Sequence, residues 1–503
     1  MKVKKIFVAA IRKIFISSFI LVSYASIALY SRDTCKDRSI FDTKQTRCKV
    51  VNILSTPPNA FLSAALQTRL FLKQLKTGVA SASSGLLAHK YEEVNKRFIG
   101  IKPGFTFNYK PGTRKNAGYL LLSRPSPDDG TPLVELWDLN YQMKLFSYDL
   151  DFDGIAKNLD LKRSSKNKLR AVHPLLLQDG SLVTIAESFV ENQDPILKFD
   201  SCGNFIDLNI NERYHHSLEV DSENRIYVPI YNSTDNIDRS LYSKAFYDDG
   251  FSILDSDLKN LSKFSLLNIY KNNGYFGDIH SEHNPGIDPF HLNDVQPFKT
   301  NDDRDIVLLS IRNNSRILAF DITKNTALWN IDRAVSQQHD IDIFPDKNNE
   351  KITISIFDNN VFRYNYKKFT MGNKYVTFSG LPTNQRNYPF TISDRKNYEK
   401  YSYTIYDFKD LLPNLRPITR SEGRFEYIPS NDSLMIEETN FGRLFEIERK
   451  TGIILWQFFN KQNKNSIPFM LSGSRRMRNL PKNMPANLMQ TCKNPSLNDQ
   501  KTK

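Results

Sequence analysis

Four histidines in this 503-residue chain each open a short strand-like stretch: His173 in HPLLLQDG, His216 in HSLEVDSEN, His291 in HLNDVQPF and His339 in HDIDIFPDKNN. Imidazoles gathered at one place can ligate a metal, move protons or act as nucleophiles. Their company narrows the choice. His291 and Asn293 are two residues apart, so on a strand both face the same side. A buried His–Asn pair needs hydrogen-bond partners, and a ligand is one way to supply them. Arg312 follows on the next strand in LLSIRNNSRI, where a guanidinium can present two parallel donors to a carboxylate, phosphate or sulfate. The set holds no cysteine and few carboxylates, which makes it a poor site for Ca²⁺ or Mg²⁺. A three-histidine zinc or copper ring is possible. An anion site with a histidine nucleophile or base suits the Arg and Asn better, so no metal is expected. His173 precedes a proline and reads as a structural tie between repeats. His215 and His216 are adjacent, so on a regular strand only one can face the site; register favours His216. His280 and His283 in GDIHSEHNPG are expected to rim the site, and His89 to take no part.

Something must gather these residues. DIVLLSIRNNSRILAFDITKNTALWN (305–330) and DSLMIEETNFGRLFEIERKTGIILWQ (432–457) align without a gap, matching Arg316 with Arg443, Asp321 with Glu448 and Trp329 with Trp456. Each reads as strand, turn, strand, turn, strand. Looser copies occupy 118–149 and 180–210, and a strand beginning with histidine precedes several copies, at spacings of 43, 75 and 48 residues. Units near 118, 173, 216, 291, 339 and 422 make six. Four-stranded repeats at this period indicate an all-β fold, a six-bladed β-propeller whose short edges are protected by radial repetition. Innermost strands would line a central channel and bring their first residues together at one end. In the aligned repeats Arg312 corresponds to Thr439, so the repeat itself does not demand an arginine there. NAFLSAALQTRLFLKQL and LLAHKYEEVNKRF are helical patterns in a region otherwise short of strands. The expected organisation is a signal peptide or signal anchor over 1–33, an N-terminal extension with two short helices over 34–116, the propeller over 117–460, and a basic C-terminal tail over 461–503.

The net charge of +14 raises nucleic acid as a partner, but its distribution argues against one. Residues 1–33 carry a net +5 and residues 461–503 a net +8, which leaves the body between them nearly neutral and without a basic stripe. Lys2, Lys4, Lys5, Arg12 and Lys13 precede IFISSFILVSYASIALY, an uncharged apolar run over residues 14–30. That is an export signal or an anchor in the membrane, and Ser26-Ile27-Ala28 resembles a cleavage site. Both readings give an exported body, either soluble or anchored. Four cysteines agree with an oxidising compartment. Cys35 and Cys48 flank a short polar loop and are expected to pair, while Cys202 sits in a turn and Cys492 in the basic tail. No C-x-x-C spacing points to zinc or redox chemistry.

HLNDVQPF with LLSIRNNSRILAFD, QQHDIDIF with ISIFDNN, and EETNFGRLFEIERKTGIILWQF together resemble the bacterial arylsulfate sulfotransferases, six-bladed propellers of the periplasm. The resemblance is strongest over 215–458 and looser from about 117. It implies ping-pong transfer of a sulfuryl group from an aryl sulfate to a phenol through a sulfohistidine, independent of the nucleotide donor PAPS and with no cofactor. Its partners would be small-molecule aryl sulfates and phenols. His339 resembles the nucleophile, and His291, Asn293 and Arg312 resemble the sulfate-site residues, with His291 as acid–base and His216 as a further channel histidine that binds substrate. The family also uses a hydroxyl residue from the last blade. TRSEGRFEYIP leaves Thr419, Ser421 and Glu422 open for that place, and a carboxylate there would repel sulfate. The alternative is a non-catalytic exported propeller binding an anionic or aromatic ligand or a protein partner. A metal-dependent propeller hydrolase and a quinone-dependent dehydrogenase are weaker, the latter because three tryptophans cannot furnish a docking motif in every repeat.

Overall fold

The first unit does not supply its own innermost strand. Tyr119–Pro125, Pro132–Asp138 and Met143–Tyr148 form the outer three strands of blade 1, and Arg475–Met477, from the other end of the chain, completes it at the axis. This is a computed structural model; it describes residues 96–164, 169–232, 246–279, 288–332, 334–364, 367–370, 372–383, 390–391, 402–408, 416–484 and 488–493. Residues 14–30, the first expected helix, His89, His280, His283, Cys35 and Cys48 lie outside the described residues, as does the second expected helix except for Lys96–Phe98, a single 3-10 turn. No helix among the described residues is long and apolar enough to cross a membrane.

Five further blades follow in chain order. Blade 2 runs from Arg170–Leu176 to Phe205–Asn209, and blade 3 from the short strands Arg213–Tyr214 and Glu219–Val220 to Asn260–Ser265. Blade 4 begins at Leu292–Lys299, blade 5 at His339–Pro345 and blade 6 at Arg424–Ile428. A six-bladed propeller is therefore the architecture. The sheets extend past both ends of the 117–460 interval, because Gly104–Phe107 also adds an outermost strand to blade 6 by pairing with Ile454–Phe459.

Local chemistry builds each hairpin. Asp200 accepts the N–H groups of Cys202 and Asn204, Asp221 those of Glu223 and Arg225, and Asp255 those of Asp257 and Lys259. A carboxylate bonding the backbone two and four residues on fixes a tight turn. The aligned repeats also share a register: Arg316 faces Ile311 and Arg443 faces Glu438, while Trp329 faces Ala319 and Trp456 faces Glu446. No single core exists. Apolar clusters fill each gap between neighbouring blades, such as Leu308, Ile317, Ile341 and Ile354 between blades 4 and 5.

Residues 461–484 and 488–493, expected as a basic C-terminal tail, are part of this framework. Lys461 donates to the carbonyls of Phe98 and Ile101, and Arg475 forms two bonds of 3.0 Å with Glu219. Met484 and Leu488 pack between blades 1 and 2, where Cys492 forms a disulfide with Cys202 in a turn of blade 2. That bond spans a sequence separation of 290 residues. Cross-linking so long a loop restricts the unfolded chain strongly, and removing a native disulfide typically costs about 2–5 kcal/mol. Cys492→Ser is expected to lower the melting temperature by several degrees while leaving the far-ultraviolet signature of β-structure in place. An unchanged melting temperature would show that the disulfide contributes nothing to holding the ring.

Candidate active site

The turns entering the innermost strands use left-handed backbone, and histidine fills several of them. His173, His216 and His291 have φ values of 49°, 61° and 54°. Such geometry costs most residues about 1–2 kcal/mol, and His, Asn and Asp are enriched there among non-glycine residues. In blade 5 Gln337 and Asp340 are left-handed, at 54° and 47°, and His339, between them, is not. In blade 6 Glu422 and Gly423 take the position, at 59° and 104°.

These turns line one cavity of about 380 Å³ at the axis. It contains His173, His216, His291, Asn293, Arg312, His339, Ser421 and Glu422, along with His215, which alternation was expected to turn away from the site, and Arg170, which the sequence did not single out. Alternation along a strand fails at His215 and His216 because residues 215–218 interrupt the pairing between Arg213–Tyr214 and Glu219–Val220. Both rings therefore reach the cavity, with their Nδ1 atoms 2.6 Å apart. The His216 ring lies 4.9 Å from that of His291 and 6.2 Å from that of His339.

His339 is 5% exposed and its tautomer is fixed by Asn359. The Asn359 amide donates to the carbonyls of Thr419 and Glu422, at 3.3 and 2.8 Å, so its oxygen must face His339. That oxygen is 2.5 Å from His339 Nδ1, which therefore carries the proton. The lone pair is left on Nε2, where it accepts the backbone N–H of Glu422 at 3.1 Å. Burial first, then the Arg312 charge, with His291 adding to it, pushes His339 well below the ordinary imidazole range; the Asn359 bond opposes this without reversing it. His216 is driven the same way by burial and then by His215, His291 and His339. His173 is lowered by burial and then by Arg424, Arg475 and Arg170. These are neutral rings at pH 7.

His291 differs. Its Nδ1 is 2.6 Å from Asp288 Oδ2, so its Nε2 is the nitrogen left for other contacts. Arg312 donates to the amide oxygens of Asn313 and Gln337, at 3.0 and 3.1 Å. Asn293 donates to the Gln338 carbonyl at 2.7 Å and so braces the residue before His339, while its Oδ1 is buried and unpartnered. Of the three last-blade candidates, Ser421 and Glu422 reach the cavity. Thr419 is fully buried, its backbone N–H and carbonyl bonded to the Asn373 amide. The Glu422 carboxylate turns to Arg170, which meets it with two bonds of 3.0 Å and also donates to Glu187 at 2.6 Å. Glu422 is thereby directed at a guanidinium that it shares with Glu187. Thr439 also lines the cavity, at the place in blade 6 that Arg312 holds in blade 4. No group of three or more His, Cys, Asp or Glu among the described residues has the geometry to hold a metal ion.

The residues missed by sequence had uneven signals. Asn359 stands in the FDNN segment, and Asp288 immediately precedes PFHLNDVQPF. Arg170 had none: it meets Glu422 across 252 residues.

Ring and cavity together define a propeller with a histidine-lined pocket at the end of its channel. The chain belongs to the Arylsulfotransferase (ASST) family, which it matches over residues 173–461. No curated protein matches it. Among solved structures it is similar to a Bacteroides caccae protein of unknown function, at 10% identity over 71% of this chain and 98% of that one, with a TM-score of 0.39. It is also similar to the β-propeller domain of Myceliophteria thermophila Cps50 (Swd1), at 11% identity, 71% and 86% coverage and a TM-score of 0.36. The periplasmic gluconolactonase of Pseudomonas aeruginosa matches at 9% identity, 70% and 98% coverage and a TM-score of 0.36.

The Asn359 arrangement has a direct spectroscopic consequence. Long-range ¹⁵N–¹H spectra at pH 6 are expected to show His339 uncharged with its proton on Nδ1, and Asn359→Ala to lose that preference. A signal for protonated Nε2 would reverse the assignment of the lone pair.

Proposed function

We propose that this protein moves a sulfuryl group from an aryl sulfate to a phenol, with His339 Nε2 as the nucleophile. The observation that carries this reading is a neutral imidazole whose lone-pair nitrogen is defined by Asn359 and shares one cavity with Arg312 and His291. A positively charged ring could not attack sulfur; burial beside a guanidinium keeps this one neutral. In the first half-reaction Nε2 bonds to sulfur as the sulfur–oxygen bond to the phenol breaks, and His291 gives its proton to the departing oxygen. Phenolate, with a parent pKa of about 10, gains from that proton. The sulfurylated His339 keeps Nδ1–H, whose bond to Asn359 stabilises the resulting ring charge. In the second half an acceptor phenol gives its proton to His291 while its oxygen takes the group from Nε2. Dividing one displacement into two in this way is ordinary nucleophilic catalysis. Arg312 holds the sulfuryl oxygens; His216 binds the substrate, and Asn293 acts through the backbone before His339. No cofactor enters these steps. Export, read from residues 1–33, agrees with the Cys202–Cys492 disulfide.

One observation favours binding without turnover. The Glu422 N–H occupies the lone pair that would attack, and it must leave Nε2 before sulfur can approach. Freed, the same N–H is placed to donate to a sulfuryl oxygen. Intact mass after exposure to an aryl sulfate separates the two readings: an adduct of one sulfuryl group, absent in His339→Ala together with all transfer, is expected for the enzyme. An unmodified wild-type protein across several donors would leave a binding module. Arg312→Lys retains charge but loses the paired donors, and a lost donor at developing charge costs about a hundredfold or more in turnover. The variant is expected to show that loss at an unchanged melting temperature; full turnover in the folded fraction of a destabilised variant would take Arg312 out of the site.

A further inference from the structure

We propose that Asp288 is a positioning residue that makes His291 the proton carrier among the clustered histidines, a step that rests on the sulfuryl-transfer reading above. Asp288 Oδ2 lies 2.6 Å from His291 Nδ1. An aspartate bonded to one ring nitrogen fixes the proton there, leaves the other nitrogen for reaction, and stabilises the imidazolium when it forms. No other ring in the cavity has such a partner among the contacts described. His339 Nδ1 meets an amide oxygen, and His216 Nδ1 meets another imidazole. His173 faces the Arg424 guanidinium, at 3.4 Å from its Nδ1. His215 has Asp249 Oδ1 at 3.5 Å from Nε2, yet both atoms are without hydrogen-bond partners.

The turn that carries Asp288 is also fastened to the anion-binding strand. Asn313 donates to the Asp288 carbonyl at 2.7 Å and, through its backbone, to the Phe290 carbonyl at 2.9 Å. The Arg312 N–H bonds the His291 carbonyl at 3.1 Å. The proton carrier and the guanidinium that would hold the sulfuryl group are thus fixed to one another. The titratable and charged groups facing His291 are Asp288 from its own turn, His215 and His216 from blade 3, Arg312 from the next strand and His339 from blade 5. Burial alone would raise Asp288. The bond and charge of His291, with His215 and Arg312, outweigh burial and hold it below the usual carboxylate range, so it stays ionised opposite the imidazole.

In the donor half-reaction the His291 Nε2 proton passes to the leaving phenol oxygen as the sulfur–oxygen bond breaks, and the acceptor phenol returns a proton to the same nitrogen in the second half. General acid–base assistance is worth about a hundredfold to ten-thousandfold, and it matters most when the leaving group is poor. The test therefore compares phenyl sulfate with 4-nitrophenyl sulfate as donors in wild type, Asp288→Asn and Asp288→Glu. Asp288→Asn is expected to lose about a hundredfold in turnover with phenyl sulfate and far less with 4-nitrophenyl sulfate. The His339 adduct should still form from 4-nitrophenyl sulfate, and Asp288→Glu should recover part of the phenyl sulfate rate. Equal losses on both donors, or no loss, would overturn the role of Asp288 while leaving the sulfotransferase reading intact. Failure of wild type to form an adduct or transfer from either donor would overturn both.

Discussion

The structure depends on a short antiparallel pairing between residues far apart in the chain: Tyr119 with Met477, Leu120 with Arg476 and Leu121 with Arg475. A propeller blade needs neighbours on both sides to cover its apolar faces, so the ring is stable only when first and last blades meet. Arg475–Met477 closes blade 1 at the axis, and Gly104–Phe107 covers the outer edge of blade 6. The closing segment also shapes the cavity. Gly473 lies against the His173 ring, where an added Cβ would come within 2.7 Å of it, and its backbone is left-handed at φ 82°. The carbonyls of Leu471 and Ser472 accept bonds from Arg170 and from the His173 N–H.

Below the imidazoles the channel is filled by charge. Arg424 pairs with Asp340 at 2.9 Å and Arg475 with Glu219. Burial, with Glu219 and Asp340 adding to it, pushes Asp294 up to about 7, and burial lifts Glu426 to about 7 against the pull of neighbouring arginines. Isolated buried charges are costly, so these groups persist because they meet one another or bond backbone N–H groups of the next blade. Asp294 bonds the N–H of Ile341, Asp340 that of Phe425 and Glu426 that of Arg476. Blades 4, 5 and 6 are each thereby locked to the next blade of the ring. The same burial acts oppositely on the two kinds of group: it lifts carboxylates towards neutrality and strips protons from imidazoles. That is why paired charges and neutral imidazoles occur within one channel.

Much of this was legible in the chain. Alternation, turn residues and the alignment of 305–330 with 432–457 are local or repeated signals, and they fix strands, turns and the number of blades. The gathering of His216, His291, Asn293, Arg312 and His339 followed from the repeat, since equivalent starts of innermost strands must converge. What the chain alone determined, then, was the architecture and the chemical character of the pocket. Only the tertiary structure decided how individual side chains are used. Whether both His215 and His216 reach the cavity depends on a break in strand pairing, and the left-handed residues of blade 5 fall on either side of His339 rather than on it. Which nitrogen of His339 holds the lone pair depends on Asn359, and where the Glu422 carboxylate points depends on Arg170 across 252 residues. These outcomes rest on contacts between distant segments, for which strand periodicity carries no information. The membership of Arg475–Met477 in the first blade is of the same kind, because a three-residue closing strand has too few alternations to announce itself and is defined only by the partner it meets.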